Sequence, residues 1–462
     1  MKIPSIGMRS PPVTYALAGS VLLGSLGVSV VTVALPSLAD EFSAPTSTMQ
    51  WVVIAYLLAA TVTVVVAGKL GDALGSRRIL LGGLTIFTVA SALCALAQSL
   101  SALAAARAVQ GIGAAVLMAL PMSILKEAVG KDRIGSAMGL LGTMSAVGTA
   151  LGPSLGGILL SGFGWRAVFV PLAALGVATT IASMTTIPAD SPTTESESDR
   201  VDWFGAFLLG TALIFYSLLM SKAGGAGSSG FLLLAALMAV AAFVLVETKA
   251  EFPLVPIAVL RSQPVATALA TNLILSMVMM TTLVVGPFYL SLSLKLDNRV
   301  IGLVMSVGPV TAALTGIAAG RAVDRFGTRA VMTAGLIETC IGFLSLALLP
   351  RYTGAAGYVI SLIILTPGFQ MFLAANGAAL MTAAPDSQRG VLSGLLGLSR
   401  NLGFVTGASA MMTLFMFAVG DGNLSASAEN AVADGFSITF MAASGLILCA
   451  ILATSFSSRE KL

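Results

Sequence analysis

Charge is scarce in this 462-residue chain, and histidine is absent. Lys, Arg, Asp and Glu together make up 10% of the residues, against about 25% in an average soluble domain. The lack of histidine excludes His-based acid–base catalysis and His metal ligation. The three cysteines lie far apart in apolar runs and match neither a disulfide framework nor a metal site. With 57% hydrophobic residues and a mean hydropathy of +0.98, the chain is expected to lie mostly within a membrane.

Other absences narrow the function. No G-x-x-x-x-G-K-[ST] loop occurs, and no segment between apolar runs is long enough for a nucleotide-binding domain, which argues against an ATP-driven pump. A membrane enzyme would need an acid–base pair or a metal cluster, and the apolar runs offer neither. We therefore expect neither an enzyme nor a cofactor. The small net charge of +4 predicts no nucleic-acid partner.

Apolar runs long enough to cross a bilayer recur along the whole chain. A spanning helix needs about 20 mainly apolar residues. This rule predicts about fourteen spans, near residues 14–36, 49–67, 79–98, 102–124, 135–160, 166–187, 203–220, 230–248, 265–291, 300–319, 330–349, 356–383, 391–417 and 435–456. The pair in the middle, 203–220 and 230–248, carries the weakest signal. The first run lacks the cleavage pattern of a signal peptide, so we expect it to remain as a span.

Positive charge is distributed unevenly across this map. With the N-terminus inside, 17 of the 24 Lys and Arg residues fall in cytoplasmic segments and 5 in external segments, while Arg107 and Arg400 fall within spans. Cytoplasmic loops characteristically carry excess Lys and Arg. We therefore expect a multi-pass protein of the plasma (inner) membrane, embedded in the lipid bilayer, with both termini in the cytoplasm. The same orientation follows with twelve spans or with fourteen.

One short charged stretch occurs twice. GKLGDALGSRR at 68–78 recurs as GRAVDRFGTR at 320–329, with its Gly, Asp, Gly and Arg positions shifted by a constant 252 residues. Each copy follows the second predicted span of a group of six. Six spans with their loops need about 180–200 residues, so the shift leaves room for an inserted pair of helices.

The repeat predicts an all-α polytopic membrane protein with an internal duplication. Parallel repeats of six helices are a known transporter architecture. The predicted boundaries are an N-terminal six-helix bundle at 1–187, a polar cytoplasmic linker at 188–202, an inserted helix pair at 203–248 and a C-terminal six-helix bundle at 249–462.

The repeated stretches resemble the loop between the second and third spans of the major facilitator superfamily, whose members are secondary transporters. The resemblance implies a conformational latch on the cytoplasmic side of each half. Its residues here are Gly68, Asp72, Gly75, Arg77, Arg78, Gly320, Asp324, Gly327 and Arg329. Glycine permits a tight turn between helices. We expect Asp72 to accept hydrogen bonds at the N-terminus of the helix that follows it.

Two further stretches resemble signatures of the same family. RAVQGIGAAVL at 107–117 matches the fourth-span motif, and an Arg within a span is costly enough to indicate a function, unless Arg107 reaches the outer surface. The stretch at 139–160 resembles the fifth-span signature of export-directed antiporters, through Gly148, Gly152, Pro153, Gly156 and Gly157. Glycines at four-residue spacing allow close helix packing, and Pro153 is expected to kink the helix.

Other stretches resemble the drug:proton antiporter subfamily with fourteen transmembrane spans. They are QWVVIAYLLAAT at 50–61, GWRAVF at 164–169, VDWFGAFLLG at 201–210 and QRGVLSGLLGLSRNLG at 388–403. The chain departs from the subfamily in its first span, where GVSVVTVALP places Gly27 at the position of a usual Asp. The usual Asn-x-Pro after GWRAVF is also absent. The first departure removes the residue expected to carry a proton.

Glu338 is the acidic residue that falls deepest within a predicted span. It lies nine residues after Arg329, which is about 13 Å along a helix and close to the middle of the bilayer. A carboxyl group there is costly to keep charged, so Glu338 is our candidate for proton coupling. Its span corresponds to a third span, which is peripheral in this family. Glu338 could therefore instead be a protonated packing residue or a local hydrogen-bond donor.

The polar residues within spans are candidates for lining a substrate cavity. They are Arg107, Gln110, Asn272, Gln370, Asn376 and Arg400. The two arginines could provide a positive field for an anionic ligand, while the amides could instead join helices to one another. The resemblance implies a monomeric, proton-coupled exporter of drugs or other small amphipathic compounds that works by alternating access. A metabolite importer or uniporter on the same fold is the alternative, which the missing first-span Asp favours.

Overall fold

The computed structural model consists of helices and short connections in the part of the chain that it describes. That part comprises residues 11–32, 34, 38, 41–42, 51–128, 134–190, 202–220, 225–250, 253, 255, 260–296, 298–383, 388–420 and 429–457. Most of the predicted linker at 188–202 lies outside these residues, as do both termini.

The long helices occur in the order that the apolar runs predict. In chain order they are α1 (Pro11–Thr32), α2 (Trp51–Leu74), α3 (Ser76–Ala95), α4 (Leu100–Ala128), α5 (Ile134–Phe163), α6 (Val170–Thr186), α7 (Trp203–Met220), α8 (Gly225–Glu247), α9 (Gln263–Val284), α10 (Asn298–Phe326), α11 (Thr328–Ala383), α12 (Arg389–Val419) and α13 (Glu429–Ser457). A 3₁₀ turn, Trp165–Val168, precedes α6, and a π-helical turn, Tyr289–Ser293, follows α9.

Membrane-length helices account for most of the described chain. Twelve described segments are long and apolar enough to cross a membrane, judged by length and composition. One of them, within α11, spans 55 residues and contains Gly354 in a non-helical conformation, so α11 is two helices joined at a kink. Counted in this way, the described chain has 12–14 membrane-length helices. The predicted fold class is confirmed.

The two copies of the charged stretch are mostly helical. Helix α2 continues to Leu74, Gly75 has φ 97°, and α3 begins at Ser76. The second copy repeats this arrangement, because α10 ends at Phe326 and Gly327 has φ 84°. A positive φ is costly for residues with a Cβ atom. Each predicted turn is therefore a single left-handed glycine, and the Gly and Asp before it lie on the last turns of a helix.

Most of the helix packing occurs within two groups of helices. The first half, α1–α6, packs α4 against α2 and α3, and α1 against α5. The second half, α9–α13, packs α9 against α12, and α11 against α10 and α13. In the second half, Phe436 stacks on Tyr289, with ring centroids 4.2 Å apart, and lies 4.4 Å from Phe440. Aromatic contacts of this kind stabilise beyond their buried area.

The two halves meet chiefly along two helix pairs. Helix α2 packs against α12, and α5 packs against α10. Glycine faces glycine in both places: Gly68 lies against Gly390, and Gly135 lies against Gly320. A Cβ atom at Gly135 would stand 2.6 Å from the carbonyl oxygen of Gly320. Small residues therefore allow backbone to touch backbone where the halves cross.

The helix pair between the halves is peripheral. Helix α7 contacts α2 of the first half and α12 of the second, while α8 packs on α7. Gly210 of α7 lies against Val62, and the hydroxyl groups of Tyr216 and Thr406 are hydrogen-bonded. The pair thus rests against the line where two core helices meet.

Candidate functional site

Asp72 lies at the end of α2 and contacts the first residues of α12. The backbone N–H groups of Gly390 and Val391 donate to its two carboxylate oxygens, at 2.8 and 3.0 Å. The first N–H groups of a helix have no partner within the helix and carry partial positive charge. Asp72 therefore caps a helix of the other half. The prediction that it would cap the next helix in the chain is wrong, because the carboxylate points across the α2–α12 crossing.

Asp324 forms the matching contact in the opposite direction. It lies at the end of α10 and accepts hydrogen bonds from the backbone N–H groups of Gly135 and Ser136, at 2.7 and 2.9 Å. The Ser136 hydroxyl also donates to it. Each half thus contributes one aspartate that caps a helix of the other half. Asp72 of α2 caps α12, and Asp324 of α10 caps α5. We call these two contacts the reciprocal caps.

The start of α3 has a different cap. Asp190, which follows α6, accepts hydrogen bonds from the backbone N–H groups of Arg77 and Arg78, both at 3.0 Å. The Arg77 guanidinium donates to the carbonyl oxygen of Met184 at 2.8 Å. These contacts stay within the first half. Sequence reasoning missed Asp190, because nothing in its position beyond α6 indicates that α3 begins beside it.

The glycines of the fifth-span signature pack α5 onto α1. A Cβ atom at Gly148 would stand 2.6 Å from the Leu22 carbonyl oxygen, and one at Gly156 would stand 2.8 Å from that of Val30. Gly152 lies against Ser29, whereas Gly157 has open space around it. The Pro153 side chain lies outside the described residues. Three of the four glycines thus form a strip within the first half.

Arg107 is fully buried inside the first half. Its guanidinium donates to the carbonyl oxygens of Val52 and Gly27, both at 3.0 Å, and to the side-chain oxygen of Gln110. It also lies 4.1 Å from the ring centre of Tyr56. Carbonyl dipoles and the face of an aromatic ring stabilise a cation without a carboxylate. The alternative in which Arg107 reaches the outer surface is thus wrong.

The residues around Arg107 form a connected polar network. Gln110 donates to the Ser91 hydroxyl at 2.7 Å, and the Tyr56 hydroxyl donates to the carbonyl oxygen of Gly24 at 2.8 Å. One Arg107 nitrogen, Nη2, has no hydrogen-bond partner among the described residues. Sequence reasoning missed Tyr56 and Ser91, which are one aromatic and one serine among many on apolar helices.

Gly27 faces this network with its backbone. A Cβ atom there would stand 3.0 Å from the Tyr56 hydroxyl oxygen and 3.1 Å from the Phe87 ring. A carboxylate side chain at this position would therefore have to displace aromatic groups. The first half is therefore tightly packed at the position where the resemblance led us to expect an acidic residue.

The other polar candidates lie in the second half and are not brought together with Arg107. Asn272 donates to the Leu396 carbonyl oxygen at 3.1 Å and to the Ser399 hydroxyl at 2.7 Å, which joins α9 to α12. Gln370 donates to Ala312, and Asn376 donates to Ala268, both at 3.3 Å. These three amides are buried and connect helices. Arg400, on α12, is partly exposed.

Glu338 lies in the first part of α11 and is partly buried. Its Cβ atom lies close to Gly368 in the second part of the same helix. The neighbouring Ile337 and Ile341 are about half exposed, at 47% and 54%. Of the acidic residues that the structure describes, Glu338 alone lies more than two turns from a helix end or kink. Its role in proton coupling stays a prediction.

Known proteins resemble this chain along most of its length. A family profile described as Major Facilitator Superfamily matches residues 17–408 and 267–461. The riboflavin transporter RibZ of Clostridioides difficile (strain 630) is 28% identical over 395 residues, covering 86% of each chain. The tetracenomycin C resistance and export protein of Streptomyces glaucescens is 28% identical over 440 residues, covering 90% of this chain and 78% of that protein.

A solved structure shows the same fold. The human organic anion transporter MFSD10 superposes on this chain with a TM-score of 0.70, covering 96% of this chain and 100% of that one. The two sequences are 16% identical, so this likeness concerns the fold alone.

We predict that Asp72→Asn weakens the closed arrangement of the two halves. Asparagine keeps one acceptor oxygen but loses the charge and the second acceptor. At a helix N-terminus this loss costs about 1 kcal/mol of stabilising free energy. The population of the closed arrangement relative to the open one should fall by roughly fivefold. Double electron–electron resonance measures this population from the distance between two spin labels. The labels are attached at the exposed Leu74 and Phe326 in a variant without native cysteines.

Asp190→Asn provides the matched control. It weakens a cap of the same chemistry inside one half, so it should lower thermal stability without changing the distance between the labels. An unchanged distance distribution in Asp72→Asn, or an equal change in both variants, would contradict the assignment.

Proposed function

The chain belongs to the Major Facilitator Superfamily and is a transporter, and we propose that it exports small amphipathic compounds by alternating access. In this mechanism, two bundles rock around a central site so that the site opens to one side of the membrane at a time. The protein is then a multi-pass protein of the plasma membrane with both termini in the cytoplasm. It functions as a monomer.

The reciprocal caps carry this proposal. Both caps and both glycine crossings lie at the same end of the molecule, where α2 and α10 end and α5 and α12 begin. They hold the halves together there through polar contacts that water can replace when the halves separate. Gly68, Gly75, Gly320 and Gly327 and the two aspartates thus act as a latch on the cytoplasmic side, with Arg78 and Arg329 exposed beside it.

Several observations bear on the direction of transport. The glycine strip of α5 resembles that of export-directed antiporters, and one relative is a resistance and export protein. Another relative is a riboflavin transporter, and Gly27 replaces the acid usual in drug exporters. Import, or uniport, of a metabolite is therefore the second candidate function.

A susceptibility panel tests the export proposal. An efflux-deficient bacterial host should become more resistant to some amphipathic antibacterial compounds when it expresses the chain. The same host expressing Asp72→Asn at equal membrane abundance should gain less resistance, and one expressing Asp190→Asn should match the wild type. Unchanged or increased sensitivity across the panel would favour import.

We further propose fourteen spans. Helices α7 and α8 are apolar over 18 residues each and border the bundles from outside. Helix α7 ends at Met220 and α8 begins at Gly225, so a reporter can be placed in the connection between them. An alkaline phosphatase fusion after Lys222 should be active, because the connection would lie outside the cell. If a reporter that works only in the cytoplasm is active at this point, α7 and α8 do not cross the membrane and the number of spans is twelve.

Proton coupling, if it drives export, requires a group that changes charge, and we propose Glu338 for it. Glu338→Gln keeps the shape of the side chain but cannot ionise, so it should abolish transport driven by a pH gradient in proteoliposomes. Substrate exchange without a gradient should persist. Glu429→Gln is the control, because Glu429 pairs with Lys295 at a helix end. Undiminished gradient-driven transport by Glu338→Gln would exclude Glu338 as the proton-coupling group. Glu338 would then be a packing residue.

A further inference from the structure

We propose that Arg400 binds the anionic group of the transported compound, in a cleft between α4 and α12. The inference rests on the proposed transport function and names the class of substrate: an amphipathic anion with a carboxylate or sulfonate next to an apolar body.

Arg400 lies deep in the membrane-spanning region. It follows Arg389, the first residue of α12, by eleven residues, which corresponds to about 16 Å along the helix axis. This places it near the middle of a hydrocarbon layer about 30 Å thick. A charged side chain at that depth is costly, and such residues face a bundle interior or a water-filled space.

The packing of α12 fixes the side on which Arg400 lies. Its neighbour Ser399 accepts a hydrogen bond from Asn272 of α9, and Asn401 on the other flank donates to Thr61 of α2 at 3.4 Å. Between these flanks, Ser393 donates to the carbonyl oxygen of Ala119 on α4. Arg400 follows Ser393 by seven residues, or two turns, and so lies on the same face of α12. It therefore faces α4 of the other half.

The facing wall of α4 is open at this level. Ile112 precedes Ala119 by seven residues and shares its face. Since α4 and α12 are antiparallel, Ile112 lies level with Arg400. Ile112 is 38% exposed, and Val109 one turn further is 43% exposed. The two helices thus touch at Ala119 and diverge beyond it, which leaves a cleft with an apolar wall on one side and a guanidinium on the other.

No acidic side chain in the described part of the chain pairs with Arg400. Among the described residues it has neither an ion pair nor a hydrogen bond from its guanidinium. The described carboxylates lie near helix ends, apart from Glu338 on α11. Arg107 precedes Ala119 by twelve residues, about 18 Å along α4, and is buried within the first half, so it does not line the cleft. The cleft therefore carries uncompensated positive charge.

An amphipathic anion matches both walls of this cleft. Guanidinium groups bind carboxylates and sulfonates through two parallel hydrogen bonds, and the apolar wall of α4 accommodates an aromatic or aliphatic body. A cationic drug would be repelled by Arg400. The cleft thus selects against the cations that an exporter with an acidic first span would accept.

Three probes with one aromatic body and different charges test the proposal: 2-naphthoate, 2-naphthamide and 2-naphthylmethylammonium. Binding to the purified full chain in detergent is measured by calorimetry. The wild type should bind naphthoate at least about tenfold more tightly than the other two, as expected for a charge-assisted hydrogen bond. Arg400→Gln should lose this preference, and Arg400→Lys should keep part of it. Arg351→Gln is the control, because Arg351 pairs with Asp434 at a helix end.

A second measurement tests the proposal in case Arg400→Gln fails to fold. In a chain with Cys94, Cys340 and Cys449 replaced by Ala, Arg400→Cys should react with a negatively charged, membrane-impermeant methanethiosulfonate reagent. Either of two results overturns the proposal: a wild type that shows no preference for naphthoate, or Arg400→Cys that stays unlabelled in a folded chain. Binding in detergent needs no gradient and no direction, so failure of export or of proton coupling would leave this result standing.

Discussion

The structure depends on how the first N–H groups of two helices are satisfied. Helices α5 and α12 begin at the crossing of the two halves, where their N-terminal N–H groups need acceptors. Asp324 and Asp72 provide them from the other half. The spacing of the repeated stretch follows from this requirement. Gly68 lies one turn before Asp72, so the same helix face offers close approach and then a cap, and Gly75 ends the helix at once.

This arrangement suits a contact that must form and break. Each cap is worth about 1 kcal/mol, and water can replace the carboxylate at a helix N-terminus when the halves separate. The glycine contacts add close packing only while the halves are together. A hydrophobic interface of the same size would be harder to open in water, because separation would expose apolar surface. In the proposed mechanism, the latch is thus strong enough to close one end of the molecule and weak enough to release it.

Much of this fold could be predicted from the sequence, but the partners of its polar residues could not. Apolar runs of about 20 residues predicted the helices, and the repeat predicted two equivalent halves. The helices then extend past the apolar runs, since charged residues are tolerated where a helix leaves the bilayer. Asp72 and Gly390 are separated by 318 residues, and no local pattern indicates such a contact. Spacing identifies a carboxylate near a helix end but not which helix it caps.

The two arginines within spans show how the protein can hold buried charge in different ways. Arg107 lies among two carbonyl oxygens, an amide and the ring of Tyr56, so its charge is supported by fixed groups of the first half. Gly27 supplies a carbonyl where a carboxylate would otherwise neutralise it. Among the described residues Arg400 has no such shell, and we propose that it faces a cleft. A cation that the protein leaves unpaired at this depth is most stable when a ligand pairs with it, and that ligand has to be an anion.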